Sequence, residues 1–204
     1  MAHIPDGVLS VPVLAGGAVI AAAGVALGLR LLDDRLIPRA GVLAAAVFVL
    51  SLISVPVGPS SVHLLLTGLM GLMLGAAVFP AVLVMLLLQA LLFGFGGLTT
   101  LGVNTVNIAL PGFIAAALLG PAIRASRNAA KRGAHAALLG ALSVAGTGGL
   151  VALSLALSSS SYTPVARVLI ATYLPLMVGE AFVTAAVVSY LARVQPDALR
   201  PASA

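Results

Sequence analysis

The sequence predicts an all-α integral membrane protein, a bundle of seven transmembrane helices, and three observations carry that prediction. Hydrophobic residues make up 61% of the 204-residue chain and charged residues only 7%, whereas an average soluble domain is roughly a quarter charged. A soluble core of this size could not hide that much apolar surface, and the mean hydropathy of +1.22 agrees. The apolar residues also fall into runs near the ~20 residues a helix needs to cross a bilayer. Finally, the basic residues collect in alternate connections between those runs.

Seven runs qualify, at residues 11–29, 41–57, 62–78, 81–95, 103–123, 134–157 and 168–191. Pro and Gly punctuate them: Pro56, Gly58 and Pro59 close the second, Pro80 divides the third from the fourth, and Gly120-Pro121 ends the fifth. The fourth is short and runs into Gly94-Phe95-Gly96-Gly97. Backbone groups in lipid must be satisfied within the segment, so these runs are helices; they are too long for barrel strands and do not alternate. With the amino terminus outside, the inside connections hold Arg30, Arg35, Arg39, Arg124, Arg127, Lys131 and Arg132, and the tail holds Arg193 and Arg200. Only Arg167 is left outside, so nine of the ten basic residues lie on one side, as the positive-inside rule requires.

The expected organisation is therefore a single transmembrane domain, 1–204, in a cell (inner) membrane. It comprises an amino-terminal segment, 1–10, folded back into the bundle from outside; the bundle itself, 11–192; and a cytoplasmic tail, 193–204. No basic residue precedes the first apolar run, so a cleavable signal peptide is not expected. The basic residues are too scattered to track a phosphate backbone, which excludes nucleic acid as a partner. With no cysteine, thiolate ligands and disulfides are excluded too.

The chemistry concentrates in few residues. Of three histidines, His3 lies at the external start and His63 opens the third predicted span on the same face, which groups them as candidate ligands; His135 falls on the inside, beside Arg132. A terminal amine close to an imidazole is a nitrogen ligand set for a transition metal. If Met1 is removed, the Ala2 amine, the His3 amide nitrogen and the His3 imidazole close two fused chelate rings, and His63 can take the fourth corner of a square plane. If Met1 stays, its amine begins a set of four nitrogens that needs no help from His63. Either set suits Ni²⁺ or Cu²⁺, with Co²⁺ plausible and Zn²⁺ or Mg²⁺ poor candidates.

Supporting roles are open at several positions. Asp6 is expected either to fix a histidine ring or to cap the first helix. Asn104 and Asn107, three apart on one helix face, point at the metal site or at a neighbouring helix. Glu180, the only acid deep within a span, is expected to bond Gln89 or a hydroxyl, at a depth unlike that of His63. Gly24, Gly28, Ala22 and Ala26 give the first helix small residues spaced by four, a sign of tight helix contact.

Three stretches together closely resemble one family: Ala2-His3-Ile4-Pro5-Asp6-Gly7, Gly58-Pro59-Ser60-Ser61-Val62-His63-Leu64-Leu65-Leu66, and Phe93-Gly94-Phe95-Gly96-Gly97-Leu98-Thr99-Thr100-Leu101-Gly102-Val103-Asn104. They look like the CbiM/NikM family, the substrate-binding S components of cobalt and nickel energy-coupling factor transporters. The resemblance implies a bundle whose amino terminus forms a nitrogen-only site for transported Ni²⁺ or Co²⁺, with cobalt for cobalamin synthesis as one use. It implies no prosthetic group, and as partners a transmembrane T subunit, a cytosolic ABC ATPase and often a small accessory membrane subunit. Members typically begin Met-His, so removal of Met1 would restore the match. The chain carries no ATP-binding loop of its own. The alternative of an intramembrane enzyme lacks a credible base–nucleophile pair.

Overall fold

The computed structural model describes residues 3–57 and 60–200. Its elements are α1 (Val11–Arg30), α2 (Leu36–Ser51), a two-stranded hairpin of β1 (Val55–Val57) and β2 (Ser60–Val62), α3 (Thr67–Leu74), α4 (Val78–Phe93), α5 (Leu101–Ala125), α6 (Ala129–Ser158) and α7 (Thr163–Val194). Single 3-10 turns lie at Gly75–Ala77, Ser160–Tyr162 and Pro196–Leu199. Among the described residues, five stretches are long and apolar enough to cross a membrane: Val11–Arg30, Thr67–Phe93, Leu101–Ala125, Ala129–Ser158 and Ser160–Val194. Helix α2 is apolar but shorter. Lipid-facing surface is evident on them: Leu118, Val178 and Phe182 are 72%, 72% and 76% exposed, which apolar side chains tolerate in hydrocarbon.

The expected second, third and fourth spans need correction. Helix α2 ends at Ser51, six residues early, because Pro56 cannot continue a helix and the valines around it pair as strands instead. Val55 faces Val62 and Val57 faces Ser60 in antiparallel register. The expected third span is only the eight-residue α3, since residues 63–66 are not helical. Gly75 then takes φ 58°, ψ −133°, a conformation open to glycine alone, and the chain turns into α4. Helices α3 and α4 together form the single 27-residue apolar stretch Thr67–Phe93.

Contacts define two ends. At the arginine end, Arg39 Nη1 donates to the Met73 carbonyl and to the Arg200 carbonyl, at 3.4 and 2.7 Å. At the other, the histidine end, Phe93 packs at a tilt against Phe48 and stacks on Phe95. Thus α3 descends to the arginine end and α4 returns to the histidine end. Beyond α7, Ala198 and Leu199 are buried in the apolar cluster around Ile123, Leu139 and Val188, and Arg124 Nη1 reaches the Leu199 carbonyl at 3.4 Å.

Helix α1 buries only Ala21 and Gly28. Gly24 lies against the Phe79 ring and Gly28 against Ala76 and Pro80, so the small residues make a contact within the fold; Ala22 and Ala26 are on the exposed side. Helix α5 runs on through Pro121, which was expected to end it.

Candidate metal centre

The amino-terminal segment is built into the histidine end. Ile4 and Leu9 are buried in a cluster with Val103, Val151 and Leu155 of α5 and α6, each worth about 1.5–3 kcal/mol over an exposed position. Asn104 pairs the backbone of Ile4 on both sides: its Oδ1 accepts the Ile4 N–H at 3.0 Å and its Nδ2 donates to the Ile4 carbonyl at 3.0 Å. Thr100 Oγ1 donates to the same carbonyl at 2.7 Å, and Ser158 Oγ accepts the Ser10 N–H at 3.1 Å. Asn107 turns to the neighbouring helix, accepting from Ser154 Oγ at 3.3 Å. Asn107 thus takes the interhelical role, while Asn104 holds the backbone one residue beyond His3.

Asp6 does neither of the things expected of it. Its carboxylate accepts the N–H groups of Leu98, Thr99 and Thr100 and the Thr99 hydroxyl, at 2.9–3.3 Å for the amides and 2.5 Å for the hydroxyl. Unpartnered N–H groups just ahead of α5 attract an acid more strongly than a neutral ring could. The Thr99 hydroxyl first, and the three amides after it, hold the Asp6 pKa below the ordinary carboxylate value. Gly97 makes room for this contact, because a Cβ there would overlap the Asp6 carboxylate. The sequence had marked these glycines for close backbone approach; nothing in it named Asp6 as the group approached.

His3 and His63 come together. They are 7% and 6% exposed, their rings stack with centroids 5.4 Å apart and 18° between planes, and their Nε2 atoms are 3.3 Å apart. The tautomers follow from the partners. His63 Nδ1 lies 3.0 Å from the Leu64 carbonyl, so it carries the proton and donates. His63 Nε2 is then a bare lone pair and accepts from His3 Nε2–H. That leaves His3 Nδ1 bare as well, buried and, among the described residues, without a hydrogen-bond partner. Burial, and secondarily the nearby His63, lower the His3 pKa to about 3. Both rings are therefore neutral donors, the form in which imidazole binds metal.

Among the described residues no group of three or more His, Cys, Asp or Glu side chains gathers around them. The Met1 or Ala2 amine lies outside the described residues. His135 is in the first turns of α6, at the arginine end. Glu180 corrects its expected depth: it bonds the backbone N–H groups of Leu65 and Leu66, two and three positions beyond His63, while Gln89 Nε2 donates to Ser51 Oγ.

Fold and site together define a polytopic α-helical membrane protein with two buried, paired imidazoles at one end. Residues 3–198 match the CbiM family, described as the cobalt uptake substrate-specific transmembrane region, and the chain belongs to that family, a metal transporter component and not an enzyme. A Haemophilus influenzae protein named for metal transport is 38% identical over 198 residues, 97% of this chain and 96% of the relative. The fused nickel transport protein NikMN of Rhodobacter capsulatus is 40% identical over 124 residues, 56% of this chain and 35% of the relative. A crystal structure of a transition metal transporter superposes with a TM-score of 0.73 at 25% identity, covering 94% of this chain and 93% of that one.

Proposed function

We propose that the chain is the substrate-binding subunit of an energy-coupling factor importer, taking up Ni²⁺ or Co²⁺ at the external face of the inner membrane. The carrying observation is the pair of bare nitrogens, His3 Nδ1 and His63 Nε2, one either side of the His3 ring at the buried start of the chain. His3 Nδ1 and the His3 amide close one chelate ring, and an amine on Ala2, once Met1 is gone, closes the next. Approach of His63 Nε2 to the ion then replaces the His–His hydrogen bond. Such a nitrogen plane suits a d⁸ or d⁹ cation, and assembling it releases protons.

The topology follows the same reading. The chain makes seven passes if residues 62–66 and α3 count as one, the histidine end is outside, and the arginine end faces the cytosol. There it meets a transmembrane T subunit and an ABC ATPase, which supply the energy for release, and a small accessory membrane subunit completes the assembly.

The test is Ni²⁺ and Co²⁺ titration of the purified full chain, with amino-terminal sequencing of the same sample. His3→Ala should abolish binding, His63→Ala should weaken it strongly, and His135→Ala should leave it unchanged. Normal binding by a chain with a blocked amine, or by His3→Ala, overturns the proposal.

A further inference from the structure

We propose that Glu180 is a positioning residue for His63, acting from α7 through the peptide bond between Leu64 and Leu65. The inference rests on the function proposed above and deepens it.

One peptide unit links the two residues. Its carbonyl, that of Leu64, takes the proton of His63 Nδ1 at 3.0 Å. Its N–H, that of Leu65, is held by Glu180 Oε1. A carboxyl group on a different helix thus grips one edge of the peptide while the ligand imidazole hangs from the other. Polarising that peptide also strengthens its carbonyl as an acceptor, because hydrogen bonds in series reinforce one another. This is the familiar arrangement in which a metal-binding histidine is oriented through its far nitrogen, with a peptide inserted between ring and acid.

The local backbone needs such a group. Residues 63–66 are non-helical, and Leu66 sits in the left-handed region at φ 49°, ψ 21°. The N–H groups leading into α3 have no carbonyl behind them. Glu180 supplies Oε1 to both Leu65 and Leu66, the latter at 2.9 Å, and Oε2 to Leu66 at 3.1 Å. A carboxylate, with two oxygens and no donor, can accept both N–H groups in these three contacts. Glu180 is itself 1% exposed. Its backbone is held firmly as well: Gly140 of α6 packs so closely that a Cβ there would stand 2.6 Å from the Glu180 carbonyl. The acid is therefore a fixed post, and the His63 segment is what it fixes.

The test is a double-mutant cycle read by Ni²⁺ affinity and by the ligand-field absorption of the bound ion, on the full chain in detergent. Glu180→Ala should weaken Ni²⁺ binding about 10–100-fold, the range for loss of a group that orients a ligand, and shift the absorption band. Glu180→Gln, which keeps one oxygen in place, should lose less. In a His63→Ala background the same changes should cost little, because the imidazole they act on is gone. Equal losses with and without His63 would mean a general structural role and overturn the inference, as would Glu180 variants with wild-type affinity and band. Should Glu180→Ala fail to fold, Glu180→Asp carries the test: its carboxyl is drawn back by one methylene, and an unmoved band overturns the inference. A wild-type chain that takes up no Ni²⁺ would instead overturn the proposed function.

Discussion

Asp6 accepts both the backbone N–H and the side-chain hydroxyl of Thr99, 93 positions along the chain. The amino-terminal segment is thereby tied to the start of α5 three residues after His3. Asp6→Ala should release that tie and lower Ni²⁺ affinity about tenfold or more, with faster proteolysis within residues 5–10. Equal affinity and equal protease resistance would show that Ile4 and its partners hold the segment alone.

Acidification should loosen the same segment. His3 has a pKa of about 3 when docked against about 6.5 when free. A histidine that titrates lower in the docked state makes docking independent of pH above about 6.5 and weaker below it. The loss should be about tenfold per unit down to pH ~3, where it levels off. Asp6 works in the same direction at lower pH: its depressed pKa stabilises docking above the free carboxylate value, and that is lost as pH falls through the docked one. Hydrogen exchange of the Ile4 amide between pH 7 and 5, corrected for intrinsic rates, should show the opening; a flat profile would contradict it.

Asn104→Leu should leave the buried Ile4 N–H without its acceptor. A buried unpaired group costs about 1–3 kcal/mol, and in a chain of this size each kcal/mol lowers Tm by about 2–4 °C. Asn104→Asp, protonated at this buried position, keeps the acceptor and loses the Nδ2 bonds to the Ile4 carbonyl, which Thr100 also serves, and to Thr100 Oγ1. Its Tm should fall less; the reverse order would be inconsistent with this pairing.

On α1, two glycines should respond in opposite ways. A Cβ at Gly28 would stand 2.5 Å from the Ala76 carbonyl and 2.6 Å from Pro80 Cδ, whereas one at Gly16 would meet nothing within 4 Å. Gly28→Ala should cost about 1–3 kcal/mol by overpacking. Gly16→Ala should be neutral or stabilise by up to about 1 kcal/mol. Thermal unfolding in detergent separates the two, and equal effects would refute the packing described here.

Much of this architecture was legible in the sequence because apolar run length and glycine punctuation are local signals. Helices α1, α5, α6 and α7 fall close to the expected runs. The expected second and third spans differ from the structure where tertiary contacts override hydropathy: the run at 41–57 includes β1, and His63 sits in non-helical backbone whose Leu65 and Leu66 N–H groups bond Glu180 of α7. His3 and His63 could be paired from topology alone, since both fall on one face. Asp6 could be named as a supporting residue, but its target could not, because three amides and a hydroxyl at 98–100 carry no signature as an anion cradle. Glu180 was misplaced in depth for a related reason: its partners are main-chain groups, which every residue has.

The hydrogen bond between the two imidazoles bears on turnover. A vacated chelate usually leaves lone pairs facing one another, and that repulsion invites any stray proton or wrong ion to stay. Here the facing Nε2 atoms share one hydrogen in the empty form, which leaves one ring nitrogen, His3 Nδ1, without a partner among the described residues. On the proposed function, loading exchanges that shared hydrogen for coordination and gives the waiting nitrogen its partner, so the empty form stays receptive to the next ion.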